Sequence, residues 1–74
     1  MADPVLVAFG NRLREVRRQQ GISQEQLGDL AGLDRTYVSS VERGRNNISL
    51  LNIARLAKAL GVPIAELFPS ESNE

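Results

Sequence analysis

The sequence predicts an all-α fold, a compact bundle of five short helices. Apolar residues recur at intervals of three and four along most of the chain, which is the spacing of a helix with one buried face. Helix-capping residues stand at the ends of these stretches, and no segment alternates apolar and polar residues as a strand does. The 74 residues, of which 42% are apolar, suit one core, since two cores would each be too small to be stable. We therefore expect one domain over 1–74, with its core in about 5–68 and a polar tail in 69–74.

The first two helices are delimited by their capping residues. We expect the first from Val5 to Gln20, ended by Gly21. The second follows Ser23, which can form a capping box with Gln26. Gly28 lowers the helix propensity of this segment by roughly 1 kcal/mol, so we expect close helix packing there. The residues expected to face the core are Leu6, Phe9, Leu13 and Val16 in the first helix, and Leu27, Leu30 and Ala31 in the second.

Three further helices are expected on the same grounds. Asp34 can cap a third helix from Arg35 to about Glu42, and Ser49 can cap a fourth that Gly61 ends. Pro63 suits the first turn of a fifth, short helix. The residues expected to face the core are Val38 and Val41 in the third helix, Leu50, Ile53, Leu56, Ala57 and Leu60 in the fourth, and Leu67 and Phe68 at the end of the fifth.

The composition excludes several kinds of chemistry. With no Cys and no His, the chain lacks the groups for thiol catalysis, disulfide bonds, a Ser-His-Asp triad or a Cys/His zinc site. The carboxylates of Asp29, Asp34 and Glu42 are not spaced as metal ligands. We therefore expect no enzymatic activity, no metal and no cofactor. The sequence shows neither an apolar run of membrane length nor a signal segment, so the expected location is the cytoplasm.

Charge is balanced overall but unevenly distributed. Nine basic and nine acidic residues give a net charge of zero, which argues mildly against nucleic acid as a partner. However, residues 12–18 carry four arginines against one glutamate, and residues 35–47 carry three arginines against one glutamate. Arginine makes planar, bidentate contacts with phosphate and guanine. A basic side that suits nucleic acid can therefore coexist with an acidic C-terminal stretch.

The second and third predicted helices are joined by a short turn that contains Gly32, which is the arrangement of a helix-turn-helix. The outward face of the third helix carries two guanidinium groups and several hydroxyls, from Arg35, Thr36, Ser39, Ser40 and Arg43, with Tyr37 at its flank. Arginine can bind O6 and N7 of guanine, and threonine can contact the methyl group of thymine. A solvated helix face would ordinarily contain more Glu, Lys and Ala. The pattern therefore predicts that this face enters a groove of DNA.

Several motifs carry a resemblance to a known family. They are Arg12-Leu13-Arg14, Gly21-Ile22-Ser23-Gln24-Glu25-Gln26-Leu27, Ala31, Val38, Glu42-Arg43-Gly44 and Leu56-Ala57-Lys58-Ala59-Leu60-Gly61-Val62. On these residues, the segment 9–68 resembles the Cro/C1-type (XRE) helix-turn-helix family. The segments 32–38, 41–44 and 47–50 are most similar to the controller proteins of restriction–modification systems. The resemblance implies a lambda-repressor-like DNA-binding domain in a homodimeric transcription regulator, which binds operators upstream of its own gene and the endonuclease gene.

The resemblance also implies roles for individual residues. DNA bases would be contacted by Arg35, Thr36 and Ser40, with Tyr37 and Ser39 lining the same groove. DNA phosphates would be contacted by Gln24, Arg43, Arg45, Asn46 and Asn47. Arg17 and Glu42 would form a structural ion pair that ties the first helix to the third. Because Arg35 and Thr36 replace the paired Gln residues of phage repressors, the operator sequence of those repressors cannot be carried over.

Structural interpretations of the same residues stay open at this point. In the alternative interpretation, water alone surrounds the polar side chains of Arg35, Thr36, Ser39 and Ser40. The alternative for Tyr37 is packing against a neighbouring helix. Arg43 suits the negative end of a helix dipole, and Asn46 and Asn47 suit a turn. We expect Arg12, Arg14 and Arg18 to be solvated.

A second apolar strip favours self-association. Once the inward face of the fourth helix is assigned, Leu51 is left on a neighbouring face, which Ala54 widens. The predicted dimer interface consists of Leu51, Ala54, Pro63, Ile64 and Phe68. A two-fold dimer would place its two reading helices about 34 Å apart, one turn of DNA, and would require a pseudo-palindromic operator. The expected partners are therefore double-stranded DNA and a second copy of the chain, with RNA polymerase as a further candidate and no membrane.

Other functions compete with this hypothesis. A phage-type repressor shares much of the pattern. An antitoxin-like protein-interaction module would need a long segment for binding its partner, and we expect the five residues after Pro69 to be too few. A small enzyme would need a nucleophile, a base and a pocket, which the sequence does not provide.

Overall fold

The computed structural model describes residues 3–69 and contains four α-helices followed by a 3-10 turn. The elements are α1 (Pro4–Gln19), α2 (Gln24–Ala31), α3 (Arg35–Glu42), α4 (Leu50–Leu60) and the 3-10 turn (Ile64–Leu67). Among the described residues there is no β-strand, so the all-α prediction is confirmed. Of the predicted polar tail, only Pro69 lies within the described residues.

The prediction of a fifth helix is wrong, because the last element is only a four-residue 3-10 turn. Its hydrogen bonds run from the Glu66 amide to the Pro63 carbonyl and from the Phe68 amide to the Ala65 carbonyl, three residues back. Phe68 is extended, with ψ of 146°, as expected for a residue that precedes a proline. The segment therefore ends in extended backbone at Phe68 and forms hydrogen bonds of the 3-10 type only.

The predicted caps account for the starts of the helices. The hydroxyls of Ser23 and Ser49 accept hydrogen bonds from the amides of Gln26 and Asn52, and the Asp34 carboxylate accepts from Thr36. The start of α1 differs from the prediction by one residue. Asp3 caps it, its carboxylate 2.8 Å from the Val5 amide, and Pro4 occupies the first helical position, where the missing amide proton costs nothing.

The core is formed by residues from all four helices, the loop before α4 and the 3-10 turn. It consists of Phe9, Leu13, Val16, Leu27, Val38, Val41, Ile48, Ile53, Leu56, Ala57, Leu60 and Leu67. Three residues predicted to face it are instead exposed: Leu30 by 63%, Leu50 by 71% and Phe68 by 41%. Leu30 and Leu50 each lie three residues from a buried neighbour on the same helix, and this spacing rotates a side chain by about 60°. Near a helix end, that rotation is enough to turn the side chain away from the core.

Two glycines permit close packing around α3: Gly10 of α1 lies against the end of α3, and Gly28 of α2 lies against the turn before it. A Cβ atom on Gly10 would collide with the carbonyl oxygen of Val41, at the end of α3. A Cβ atom on Gly28 would lie 2.6 Å from the carbonyl oxygen of Leu33. The close contact expected at Gly28 is therefore present, although its partner is the turn rather than another helix. These contacts set the position of α3 relative to α1 and α2.

Among the helices of residues 3–69, none combines the length and the apolar character needed to cross a membrane.

Candidate nucleic-acid interface

The turn between α2 and α3 is held by local hydrogen bonds. Gly32 adopts a left-handed conformation with φ of 71°, and the Leu33 amide then donates to the Gly28 carbonyl at 2.8 Å. Asp34 follows and caps α3, so that Arg35 is the first residue of the helix. This turn provides the helix-turn-helix geometry that the sequence predicts.

The polar face of α3 points into solvent. Val38 and Val41 are buried on one side of the helix, whereas Arg35 and Thr36 are exposed and Ser40 is half-buried on the other. Within residues 3–69, the guanidinium of Arg35 takes part in no ion pair. The side chains assigned to base contacts are therefore accessible to an approaching groove, although their contact with DNA remains a prediction.

Ser39 and Arg43 are bound to each other. The Nη1 atom of Arg43 donates to the Ser39 hydroxyl at 2.8 Å, since residues four apart lie one above the other on a helix. Arg43 remains exposed, so its other nitrogen atoms still face solvent at the C-terminal end of α3.

Tyr37 combines a packing role with a polar one. Its half-buried ring packs against the core, and its hydroxyl accepts a hydrogen bond from Asn52 Nδ2 at 3.1 Å. Asn52 carries no signal in the sequence, because an Asn in the first turn of a helix is unremarkable until the fold brings it beside Tyr37.

The predicted ion pair between Arg17 and Glu42 is present and links α1 to α3. Arg17 Nε and Nη2 donate to the two carboxylate oxygens of Glu42 at 2.7 and 3.0 Å, and Arg17 Nη1 donates to the Ile22 carbonyl at 2.9 Å. Arg14 adds a hydrogen bond to the Glu42 carbonyl at 3.2 Å. The bidentate geometry and the additional acceptor satisfy the buried guanidinium, which a buried ion pair requires to be stable.

The surroundings of Glu42 determine its charge. Burial alone would raise the pKa of Glu42, but hydrogen bonds from Arg17 and Gln24 and the charges of Arg17 and Arg14 outweigh burial and lower this pKa. The hydrogen bond to Glu42 in turn raises the pKa of Arg17. Both groups are therefore charged at neutral pH, and α3 is held to α1 by a full ion pair.

Gln24 is the residue that connects this cluster with the start of α2. Its Nε2 donates to Glu42 Oε1 at 3.0 Å, so the predicted phosphate-binding side chain is also a partner of the buried carboxylate. An amide nitrogen has two protons, and the second can face outward from this half-buried position. This contact could not be predicted from the sequence, because eighteen residues separate the two partners.

The loop after α3 places further polar groups at the C-terminal end of the helix. Gly44 turns the chain with φ of 71°, and the Arg45 amide donates to the Ser40 carbonyl at 3.0 Å. Arg45 and Asn47 are exposed and Asn46 is half-buried. Together with Arg43, the loop gives this end of α3 an excess of positive charge.

Two arginines of α1 do not behave as expected. Arg12 donates to Glu15 at 2.9 Å and to the Glu66 carbonyl at 2.8 Å, and Arg14 contacts Glu42 as described above. The expectation that both are solvated is therefore wrong, since each joins α1 to a distant segment. Arg18 is exposed as expected.

The residues predicted for the dimer interface lie on α4 and on the 3-10 turn, which pack together. Leu51 is 62% exposed and Ile64 38% exposed, although both are large and apolar. Pro63 is also exposed, whereas Ala54 is half-buried. Phe68 is partly exposed while its ring contacts Phe9, with the ring centroids 5.2 Å apart. These apolar side chains are thus at least partly accessible, and their use in a dimer remains a prediction.

Among residues 3–69, no three acidic side chains come close enough together to hold a metal ion.

Comparisons with known proteins agree with this geometry. A family model described as "Helix-turn-helix" (HTH_3) matches residues 13–67. Control protein C.MunI of Mycoplasma sp is 38% identical over 71 residues, covering 95% of this chain and 96% of that protein. Control protein C.BamHI of Bacillus amyloliquefaciens is 41% identical over 68 residues, covering 90% of this chain and 84% of that protein.

A solved structure gives the same result. The restriction-modification controller protein C.AhdI from Aeromonas hydrophila is 59% identical, with a TM-score of 0.84 over 85% of this chain and 96% of that one. The resemblance to helix-turn-helix controller proteins is therefore confirmed in both sequence and fold. The chain belongs to the HTH_3 helix-turn-helix family of DNA-binding regulators.

Proposed function

We propose that this chain is a sequence-specific, DNA-binding transcription regulator of the controller type. The observation that carries the proposal is the outward polar face of α3, whose exposed Arg35 and Thr36 are held in place by a buried opposite side. Two relatives named control proteins, and a solved structure described as a restriction-modification controller protein, support the subtype. As a regulator similar to these bacterial proteins, it would act in the cytoplasm, where bacterial DNA lies.

Base readout is assigned to the exposed face of α3. Arg35, at the N-terminal end, can bind O6 and N7 of guanine in a bidentate contact, and Thr36 can contact a thymine methyl group or accept a hydrogen bond. Ser40 lies one turn beyond Thr36 on the same face and can reach the next base pair. Tyr37 and Ser39 line the flanks of the groove that this face would enter.

Phosphate contacts are assigned to the start of α2 and to the segment that follows α3. Gln24 lies at the N-terminal end of α2, where helix amides attract anions, and Arg43, Arg45, Asn46 and Asn47 lie at the other end of the reading surface. Such contacts fix the register of the protein on the duplex without carrying sequence information. Because Gln24 also binds Glu42, a phosphate held by Gln24 would be linked to the position of α3.

A homodimer would place two such surfaces on one operator. Leu51, Ile64 and Phe68 of the predicted apolar strip are exposed, and exposed apolar surface of this kind usually marks an interface. Two-fold symmetry would set the reading helices about 34 Å apart and match a pseudo-palindrome. RNA polymerase is the partner that an operator-bound dimer beside a promoter would recruit or exclude.

Selection of bound sequences from random duplex DNA tests the proposal. We expect one pseudo-palindromic sequence to be enriched, with half-sites separated by one helical turn, and sedimentation to find two chains for each bound duplex. Enrichment of no sequence, or binding of a single chain to an asymmetric site, would contradict the proposal.

A further inference from the structure

Asn52 lies beside the reading helix although it belongs to α4. Its Nδ2 atom is 3.1 Å from the hydroxyl oxygen of Tyr37. Its backbone amide donates to the Ser49 hydroxyl at 3.1 Å, which fixes Asn52 in the first turn of α4. The Asn52 and Tyr37 side chains are both half-buried, so their contact is partly shielded from solvent.

The direction of this hydrogen bond follows from the groups around Asn52. Arg55 Nη1 approaches the Asn52 Oδ1 atom at 3.4 Å. Since a guanidinium can only donate, it holds the amide oxygen on its own side and leaves the amide nitrogen facing Tyr37. The Tyr37 oxygen must then accept, and its single hydroxyl proton is not used in this contact.

That proton is available to an acceptor outside the chain. Tyr37 lies in the first turn of α3, next to the exposed Thr36. A hydroxyl that already accepts one hydrogen bond becomes a better donor. DNA offers acceptors at this position in its phosphate oxygens and in the base edges of the major groove.

We propose that Asn52 is a positioning residue that holds the Tyr37 hydroxyl as a hydrogen-bond donor to DNA. Arg55 fixes the orientation of the Asn52 amide, and the amide fixes the orientation of the phenol. This inference rests on the proposed DNA-binding function and adds to it a residue of α4 that determines how α3 reads its site.

A double-mutant cycle tests the proposal on the duplex selected from random DNA. Tyr37→Phe and Asn52→Leu should each weaken binding by about two- to tenfold, the range expected for one net hydrogen bond. The double variant should bind no more weakly than Tyr37→Phe alone, because Asn52 acts only through the hydroxyl that Tyr37→Phe removes. Asn11→Leu, on the exposed side of α1, is the matched control and should leave binding unchanged. Thermal melting of each free protein confirms that the variants fold.

Asn52→Asp tests the direction of the hydrogen bond. The carboxylate would take the Tyr37 proton for itself and also repel DNA. Only the repulsion remains when Tyr37→Phe has already removed the hydroxyl. We therefore expect Asn52→Asp to cause a larger loss of affinity in the parent protein than in the Tyr37→Phe background.

The outcomes separate this inference from the proposed function. Equal losses in the two backgrounds, or fully additive effects in the cycle, would overturn the role of Asn52 while DNA binding itself stands. A parent chain that binds no duplex would overturn the proposed function and this inference together. Coupling seen only on the selected duplex supports a base edge as the acceptor, and equal coupling on an unrelated duplex supports a phosphate oxygen.

Discussion

At the scale of single residues, Arg35 and Arg43 differ in what they can contribute to DNA binding. Arg35 begins α3 and is exposed, whereas Arg43 follows the end of the helix and is tied to Ser39. A bidentate contact with guanine discriminates between bases, whereas a contact with phosphate does not. The two arginines should therefore affect specificity and affinity separately.

We predict that Arg35→Ala weakens binding to the selected operator by about 1–3 kcal/mol and relaxes the preference at one base pair of each half-site. Arg43→Ala should instead weaken all duplexes similarly and reduce the dependence of affinity on salt concentration. Fluorescence anisotropy titrations at several salt concentrations measure both effects. Unchanged operator affinity after Arg35→Ala would show that the assigned readout is wrong.

Glu42 is the residue on which the position of α3 depends most. Its carboxylate is buried and receives hydrogen bonds from Arg17 and Gln24, so its removal would leave the Arg17 guanidinium buried without its counter-charge. We expect Glu42→Gln to cost about 3–5 kcal/mol in the free energy of unfolding, measured by urea denaturation. Glu25→Gln, on the exposed side of α2, is the control and should change this free energy little.

The same residue predicts how stability depends on pH. The pKa of Glu42 is lowered from its ordinary value of 4.5 in the folded chain, so the unfolded chain takes up this proton at a higher pH than the folded one. The stability that Glu42 contributes is therefore complete above pH 4.5 and is lost as the pH falls through the lower, folded value. In this acidic range the unfolding free energy of the parent should fall more steeply than that of Glu42→Gln. Parallel curves would contradict the ion pair.

At the scale of the elements, local signals predicted most of the helices. The caps at Ser23, Asp34 and Ser49 depend on neighbours within three residues, so they can be recognised in the sequence. The segment after α4 was harder, because a proline suits the start of a 3-10 turn as well as that of an α-helix, and Phe68 before Pro69 is extended. The exposure of Leu30 and Leu50 was also missed, since periodicity alone does not show where a helix extends past its neighbours.

Only part of the candidate site could be predicted from the sequence. The outward face of α3 follows from helix spacing, and the pairing of Arg17 with Glu42 followed from the family resemblance. The contacts of Gln24 with Glu42 and of Tyr37 with Asn52 could not be predicted, because their partners are eighteen and fifteen residues apart in sequence. Only the packing of the helices brings these side chains together.

The turn between α2 and α3 gives a prediction about packing. Gly28→Ala should raise helix propensity by roughly 1 kcal/mol, yet its Cβ atom would lie 2.6 Å from the Leu33 carbonyl oxygen. We expect the steric conflict to dominate, lowering the melting temperature and weakening DNA binding through displacement of α3. Asp29→Ala, at the exposed neighbouring position, is the control and should do neither. A higher melting temperature for Gly28→Ala would contradict this packing.

At the scale of the whole molecule, a net charge of zero limits how strongly the chain can bind DNA without regard to sequence. The arginines are not all available for this purpose, because Arg12, Arg14 and Arg17 are engaged with Glu15, Glu42 and Glu66. Discrimination between sequences should therefore depend on base contacts and on deformation of the DNA rather than on bulk electrostatic attraction.

Leu51 and Leu30 are a matched pair of leucines with which the predicted dimer interface can be tested, because their exposures are nearly equal. Leu51 is 62% exposed on α4 and Leu30 is 63% exposed on α2. We predict that Leu51→Glu abolishes dimers in sedimentation equilibrium and weakens operator binding, because a charge would be placed in the apolar strip. Leu30→Glu should leave the dimer intact. Similar behaviour of the two variants would contradict the assigned interface.

The most direct measurement of the central claim is a titration of the isotopically labelled chain with its selected duplex, followed by nuclear magnetic resonance. The account predicts that amide resonances change most at 35–43, at Gln24 and in the loop 45–47. The resonances of the exposed side of α1, around Arg18, should change little. Large changes along α1 with none along α3 would show that DNA meets a different surface of the protein.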